Sequence, residues 1–190
     1  MFKKFFALAL MILFVAQGQA LAARPEISAT EQYFDIFKGG YVLKGNVRVA
    51  MDNHGFKANL AADEAFVSVT QQRCWADGNV KLAQENINFS CDRVYVEWAT
   101  QTAKVKGSVK FVNKKSVTIS SDTAVFNWQT GIVDFYGKIT LTATKRLKFA
   151  SGVKLDGKTY QHVRYSVRED KILALDKTYN APAVTIPAAD

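Results

Sequence analysis

Apolar and small residues recur at every second position in four stretches of this chain. The first reads Tyr41, Leu43, Gly45, Val47, Val49, and the second Cys74, Ala76, Gly78, Val80, Leu82. The third reads Ala103, Val105, Gly107, Val109, Phe111, and the fourth Val133, Phe135, Gly137, Ile139, Leu141. Alternation of this length predicts β-strands with one buried face. A glycine at the same place in each predicts a corner or bulge stacked from rung to rung.

A second kind of segment lies between these stretches, and in it the parity slips by one residue. Ala58, Leu60 and Ala62 give way to Ala65, Val67 and Val69. Ile87, Phe89 and Cys91 give way to Val94, Val96 and Trp98, and Val117, Ile119 and Ser121 to Ala124, Phe126 and Trp128. A slip at a fixed place is what a β-bulge produces. An aspartate marks it each time (Asp63, Asp92, Asp122), with a weaker copy at Thr30. Hydrogen bonding to local amides at the corner explains an aspartate there. The step from Thr30, Asp63, Asp92 or Asp122 to the next glycine is always 15 positions, whereas the return steps are 18, 14 and 15. A period of roughly 30 residues therefore predicts stacked two-strand repeats sharing one core. The fold class is all-β. The pattern fails at Gly152, which stands in the aspartate slot, and at Lys154, where an apolar residue is expected. The last rung is predicted to fray or to act as a cap.

The N-terminus belongs to a different class. Lys3 and Lys4 precede an apolar run from Phe5 to Ala16, and Ala20-Leu21-Ala22 places small residues before Ala23. This predicts a signal peptide over 1–22, cleaved before Ala23. The run is short for a membrane span. The rest is expected to form one domain over 23–179 and a flexible tail over 180–190, since all three prolines (Pro25, Pro182, Pro187) lie outside the repeats.

The formal net charge is +8. Basic residues crowd the later rungs, at Lys104, Lys106, Lys110, Lys114, Lys115, Lys138, Lys145, Arg146 and Lys148. Solvated strand faces account for this, and so does attraction to an anionic, phosphate-bearing partner. Nucleic acid is not expected to be a partner of an exported chain. No phosphate loop, no nucleophile elbow and no His-Glu-x-x-His stands in the sequence. His54 and His162 have no ligand spacing. The chain is read as a non-enzyme with no cofactor and no metal. An enzyme acting on polysaccharide would need converging carboxylates; Glu97 and Asp134 are available, without visible convergence. Cys74 and Cys91 both fall on the inward parity. Export permits a disulfide between them, while small residues in the equivalent slots of other repeats fit two buried thiols equally well.

The inward set is Leu43, Val47, Val49, Val80, Leu82, Phe89, Val105, Val109, Phe111, Ile119, Phe126, Phe135, Ile139 and Leu141. Such a stack either fills itself with side chains or leaves a long apolar groove, and composition allows both. The Gly-Asn-Val phrase, the Ala62-Asp63-Glu64-Ala65 and Ser121-Asp122-Thr123-Ala124 phrases and the leader together resemble the OstA-type periplasmic lipopolysaccharide-transport family, from about Ile27 to Phe149. That resemblance implies an open, slightly twisted β-jellyroll whose two sheets hold the lipid A portion of lipopolysaccharide. The inward set above would then face the lipid. It also implies a periplasmic location, edge-strand pairing with other OstA-fold transport proteins, and head-to-tail oligomers bridging inner and outer membranes. The alternative is a structural or interaction β-module of the cell envelope that binds no lipid.

Overall fold

The computed structural model describes residues 26–53, 56–157 and 159–188. Residues 1–22, read from sequence as a signal peptide, and His54 lie outside the described residues. Twelve strands follow in chain order: β1 (Glu26–Ser28), β2 (Glu31–Asp35), β3 (Gly40–Asn53), β4 (Phe56–Ser68), β5 (Arg73–Gln84), β6 (Ile87–Glu97), β7 (Thr102–Asn113), β8 (Val117–Asn127), β9 (Ile132–Ala143), β10 (Lys148–Phe149), β11 (Thr159–Ser166) and β12 (Lys171–Asp176). No helix occurs among the described residues. The strands form one sheet in the order β1-β3-β4-β5-β6-β7-β8-β9-β11-β12-β10, with β2 also on β3. The terminal strands do not pair with each other, so the sheet stays open. This is the all-β stack of repeats that the alternation predicts, in the open jellyroll arrangement that the resemblance implies.

From β3 to β9 every strand runs 11 to 14 residues, about twice the usual length. Each is two arms joined at the glycine or aspartate corner. Lys44 pairs with Glu64 and Val47 with Ala62, so Gly45 and Asn46 oppose the single residue Asp63. In the same way Gly78 and Asn79 oppose Asp92, and Gly107 and Ser108 oppose Asp122. Two residues against one is a β-bulge. At these sites both bulge residues have positive φ: 74° and 48° at Gly78 and Asn79, 79° and 47° at Gly107 and Ser108. Glycine enters that region freely, and asparagine is the side chain that most readily follows it. There is also no room for a Cβ, because one on Gly78 would overlap Asp63 Oδ2 and one on Gly107 would overlap Asp92 Oδ2. Each aspartate thus leans under the glycine of the following strand. Asp63 accepts from Asn79 Nδ2 at 2.8 Å, Asp92 from Ser108 Oγ at 3.2 Å and Asp122 from the Lys138 amide at 2.8 Å. The expected bonds to local amides are therefore replaced by bonds to the neighbouring strand, which tie each rung to the next. Thr30 does the same for the first rung, its amide donating to Gly45 O at 2.8 Å.

The turns stack as well as the strands. Trp98 N donates to Gln72 O, Trp128 N to Gln101 O and Val167 N to Gly131 O at one end of the strands. At the other end Lys114 N donates to Asn86 O and Thr144 N to Ser116 O. Backbone groups in the turns are thereby satisfied by the next repeat. After β9 the repeat ends. Residues 150–157 form no strand, and β11 then returns against β9 with β12 beside it. The last rung is a cap.

Tyr41 departs from the predicted inward parity, while the aromatics at outward positions of β4 to β6 gather as that parity places them. Tyr41 is 48% exposed, and Phe66, Trp75 and Tyr95 form their own cluster on the opposite face. The Trp75 ring centroid lies 5.6 Å from Phe66 and 5.2 Å from Tyr95. Trp75 Nε1 donates to Pro187 O at 2.9 Å, and Ile186 packs on the same cluster. The segment expected as a loose tail carries no strand, yet it docks here because an indole N–H on an apolar face needs an acceptor.

Candidate functional site

The two arms of β3 to β7, with Ala124 and Phe126 of β8 and Val133 of β9, surround a cavity of about 170 Å³. Every lining residue is apolar. Leu43, Ala76 and Val105 come from one side of the corner; Val47, Val80 and Phe111 come from the other. The bulge makes this possible: it turns the strand while keeping both arms' inward positions on one face. Nine of the fourteen residues in the predicted inward set line the cavity, namely Leu43, Val47, Val49, Val80, Leu82, Phe89, Val105, Phe111 and Phe126. Leu82, Phe89 and Phe126 among them are only half buried. Alternation alone did not single out Leu60, Ala65, Val94 or Val96 as cavity residues, although their parity places them there. Val167, in the turn after β11, also lines it; it belongs to no repeat and carried no signal.

The other five, Val109, Ile119, Phe135, Ile139 and Leu141, are buried and do not line this cavity. They sit where the sheet closes over itself. Phe111 of β7 packs against Phe135 and Tyr165 at centroid distances of 5.9 Å and 5.3 Å. β7 and β11 are not neighbours in the sheet, so the Tyr165 contact crosses the interior. A polar pin holds the same closure. Tyr165 Oη donates to Asp170 Oδ1 at 2.7 Å, Ser116 Oγ donates to the same oxygen at 2.5 Å, and Asn113 Nδ2 reaches both residues. Burial, with Asp170 beside it, pushes the Tyr165 phenol well above its ordinary range, so it remains a donor.

The histidine and the carboxylates lie away from the cavity. His162 is buried against the rings of Tyr136 and Tyr179, at 5.2 Å and 4.3 Å, and those two rings also stack on each other at 6.0 Å. Its Nε2 is 2.8 Å from Asp134 Oδ1 and its Nδ1 is 2.8 Å from Asp176 Oδ2. Carboxylates only accept, so both ring nitrogens donate when the ring is an imidazolium. Burial works against that charge, but the two carboxylates outweigh it and raise the His162 pKa above its ordinary value. Burial likewise pushes Asp134 up, and hydrogen bonds from His162 and Arg164 hold it net below the usual range. Glu97 belongs to a separate network with Tyr95, Thr100 and Arg73. The two carboxylates named from sequence therefore do not converge.

Cys74 and Cys91 are both buried and free. Cys74 pairs across from Val96, whereas Cys91 pairs across from Val80. Val96 and Cys91 are five residues apart on β6, about 16 Å at a strand's rise. A disulfide needs Cα atoms within about 7 Å, so this register does not permit the bond. Burial pushes both thiols up to about 12. They are inert at neutral pH, since the thiolate is the reactive form.

No protein-family model matches the sequence, and no curated protein matches it. Among solved structures the chain is similar to LptH, the LptA homologous periplasmic component of the conserved lipopolysaccharide transport device from Pseudomonas aeruginosa. The TM-score is 0.50 at 13% sequence identity, covering 74% of this chain and 92% of that one. The fold is thus the LptA-like, OstA-type jellyroll.

Proposed function

We propose that the protein is a periplasmic carrier that takes the acyl portion of lipopolysaccharide between its two arms, as one unit of a bridge from inner to outer membrane. The observation that carries this reading is a wholly apolar cavity, lined from both sides of the corner, in a fold shared with a component of a lipopolysaccharide transport device. Each acyl methylene buried there contributes about 0.8 kcal/mol, whatever its direction along the groove. The chain turns over nothing itself. Its open edges, β1 and β2 at one end and β12 with β10 at the other, leave strands for pairing with another copy or with another OstA-fold protein.

The cavity is small against the ~300–1,000 Å³ of ordinary ligand sites. Uptake of an acyl chain therefore requires the arms to part around the half-buried Leu82, Phe89 and Phe126. The same volume favours a second reading, a structural module of the envelope whose interior stays closed. Mass spectrometry of lipids extracted from the mature protein, purified from a lipopolysaccharide-producing periplasm, separates the two. The carrier reading expects a stoichiometric lipid A-containing species, lost in Val80→Glu and Leu82→Glu variants that remain folded. Folded variants that still carry the lipid, or a wild-type protein that is clean and takes up no added lipopolysaccharide, would overturn it.

A further inference from the structure

The outward face of the arms of β3 to β7 beyond the corner holds a second depression, of about 680 Å³. Its polar and charged lining comes from outward positions, whereas Val49, Leu60, Leu82 and Phe89 border both it and the apolar cavity. The register aligns Arg48, Lys81 and Lys110 in one row, on alternate strands, with Ala61 and Ser90 between them. All three cations are exposed. Strand spacing places neighbouring cations about 10 Å apart. No carboxylate lines the depression, and none pairs with these cations among the described residues. The adjoining row supplies Asn59 and Asn88 over a floor of alanines.

From this arrangement we infer that the depression is a binding site for a compact phosphate-bearing saccharide. Three unpaired cations on a concave surface call for an anion, and Arg and Lys are the side chains that hold phosphate. Two amides and a hydroxyl add donors and acceptors suited to sugar hydroxyls. The other anionic partners fit poorly. A flat bilayer meets only the rim of a concavity. The one aromatic that lines the depression, Phe89, stands at an inward position of its strand opposite Leu82, so nucleobases find no stacking platform on the outward face. The cationic row ends at Lys110, since the next positions in register are Ser120 and Thr140, which excludes a long polyanion lying across the sheet.

Isothermal titration calorimetry at low salt with glucose 1,6-bisphosphate tests the site. The expected result is one-to-one binding, weakened at least tenfold in the triple variant R48Q/K81Q/K110Q. It stays within twofold in K145Q/R146Q/K148Q, which removes the same charge elsewhere. Asn59→Ala weakens the bisphosphate without affecting inorganic phosphate. Phosphatidylcholine vesicles carrying a phosphorylated glycolipid form the second arm. Recruitment lost in the first triple variant assigns a lipid-linked saccharide, and soluble binding without recruitment assigns a free one. Equal weakening in both triple variants, inorganic phosphate binding as tightly as the sugar, or recruitment to phosphatidylglycerol vesicles with no sugar binding would each overturn the proposal. Val80→Glu retains soluble-sugar binding, so failure of the interior reading and failure of this one are told apart.

Discussion

Ala76 in β5 and Phe135 in β9 stand at the same place in the repeat, two residues before the corner glycine, and their surroundings differ. Ala76 borders the cavity, while Phe135 is fully buried against Phe111 and does not line it. The backbone corner is the same in both rungs. What differs is side-chain volume and what lies beyond. The late rungs have Tyr165 and Ile172, both fully buried, from the cap strands to fill the space between the arms. The early rungs have small residues and no cap. One repeat thus yields a solid end and a hollow end, with the contents set by residues that leave the corner untouched.

Truncation is the strongest way to break this comparison. Phe135→Ala removes a ring from close packing and is expected to cost about 3–5 kcal/mol; Leu43→Ala, beside an existing void, falls near the low end of the ~2–5 kcal/mol range for such changes. Urea denaturation of both variants checks the order. Equal costs would mean that the early rungs are packed as tightly as the late ones.

Proton linkage is the next probe, and the His162 cluster on β9, β11 and β12 places it at the solid end. The His162 pKa is raised on folding, so its contribution is fully present below the unfolded value near 6.5 and is lost as pH rises through the folded value. Asp134 is lowered, so its contribution is present above the unfolded value and is lost as pH falls through its folded value. The expected profile has a maximum on the acidic side of neutrality and declines in both directions. Charged hydrogen bonds of this kind are worth about 1.5–3 kcal/mol each. In a series of melting curves from pH 5 to pH 9, His162→Gln is expected to flatten the alkaline decline. A variant that keeps the wild-type slope would place the titrating group elsewhere.

The stacking was legible in the chain because bulge chemistry is local. Gly78-Asn79 and Asp92 announce a left-handed bulge facing a single acceptor wherever they occur. The inward parity was legible for the same reason, and all fourteen residues of the predicted inward set avoid full exposure. The division of that set between cavity and core was not legible. It depends on β11, whose Tyr160, Val163 and Tyr165 belong to no repeat and reach the interior only after the chain turns back at 150–157. The docking of Ile186 and Pro187 on Trp75 was hidden likewise, since nothing in a proline-bearing tail specifies a surface more than a hundred residues away. The cysteine question turned on register: two inward positions on adjacent strands look close in sequence, and only the pairing of Cys74 with Val96 reveals the offset.

Filling the hollow end is the gentlest perturbation and the one that joins packing to function. Ala76→Val adds two methyl-sized groups toward the cavity at a position 3% exposed, in a strand where β-branched residues fit. Burial of that carbon is worth up to about 1.6 kcal/mol at roughly 0.8 kcal/mol per group, reduced by whatever strain the cross-strand neighbours Ala65 and Val94 impose. On the proposed carrier role, the expected outcome is a protein slightly more stable than wild type whose uptake of lipopolysaccharide is weaker, because the space that stabilises the variant is the space proposed for the acyl chain. A gain in stability with undiminished lipid binding would mean that the ligand lies outside this cavity. A loss of stability would mean that the void is already closed by motions of the arms. The hollow end would then differ from the solid end in mobility and not in free volume.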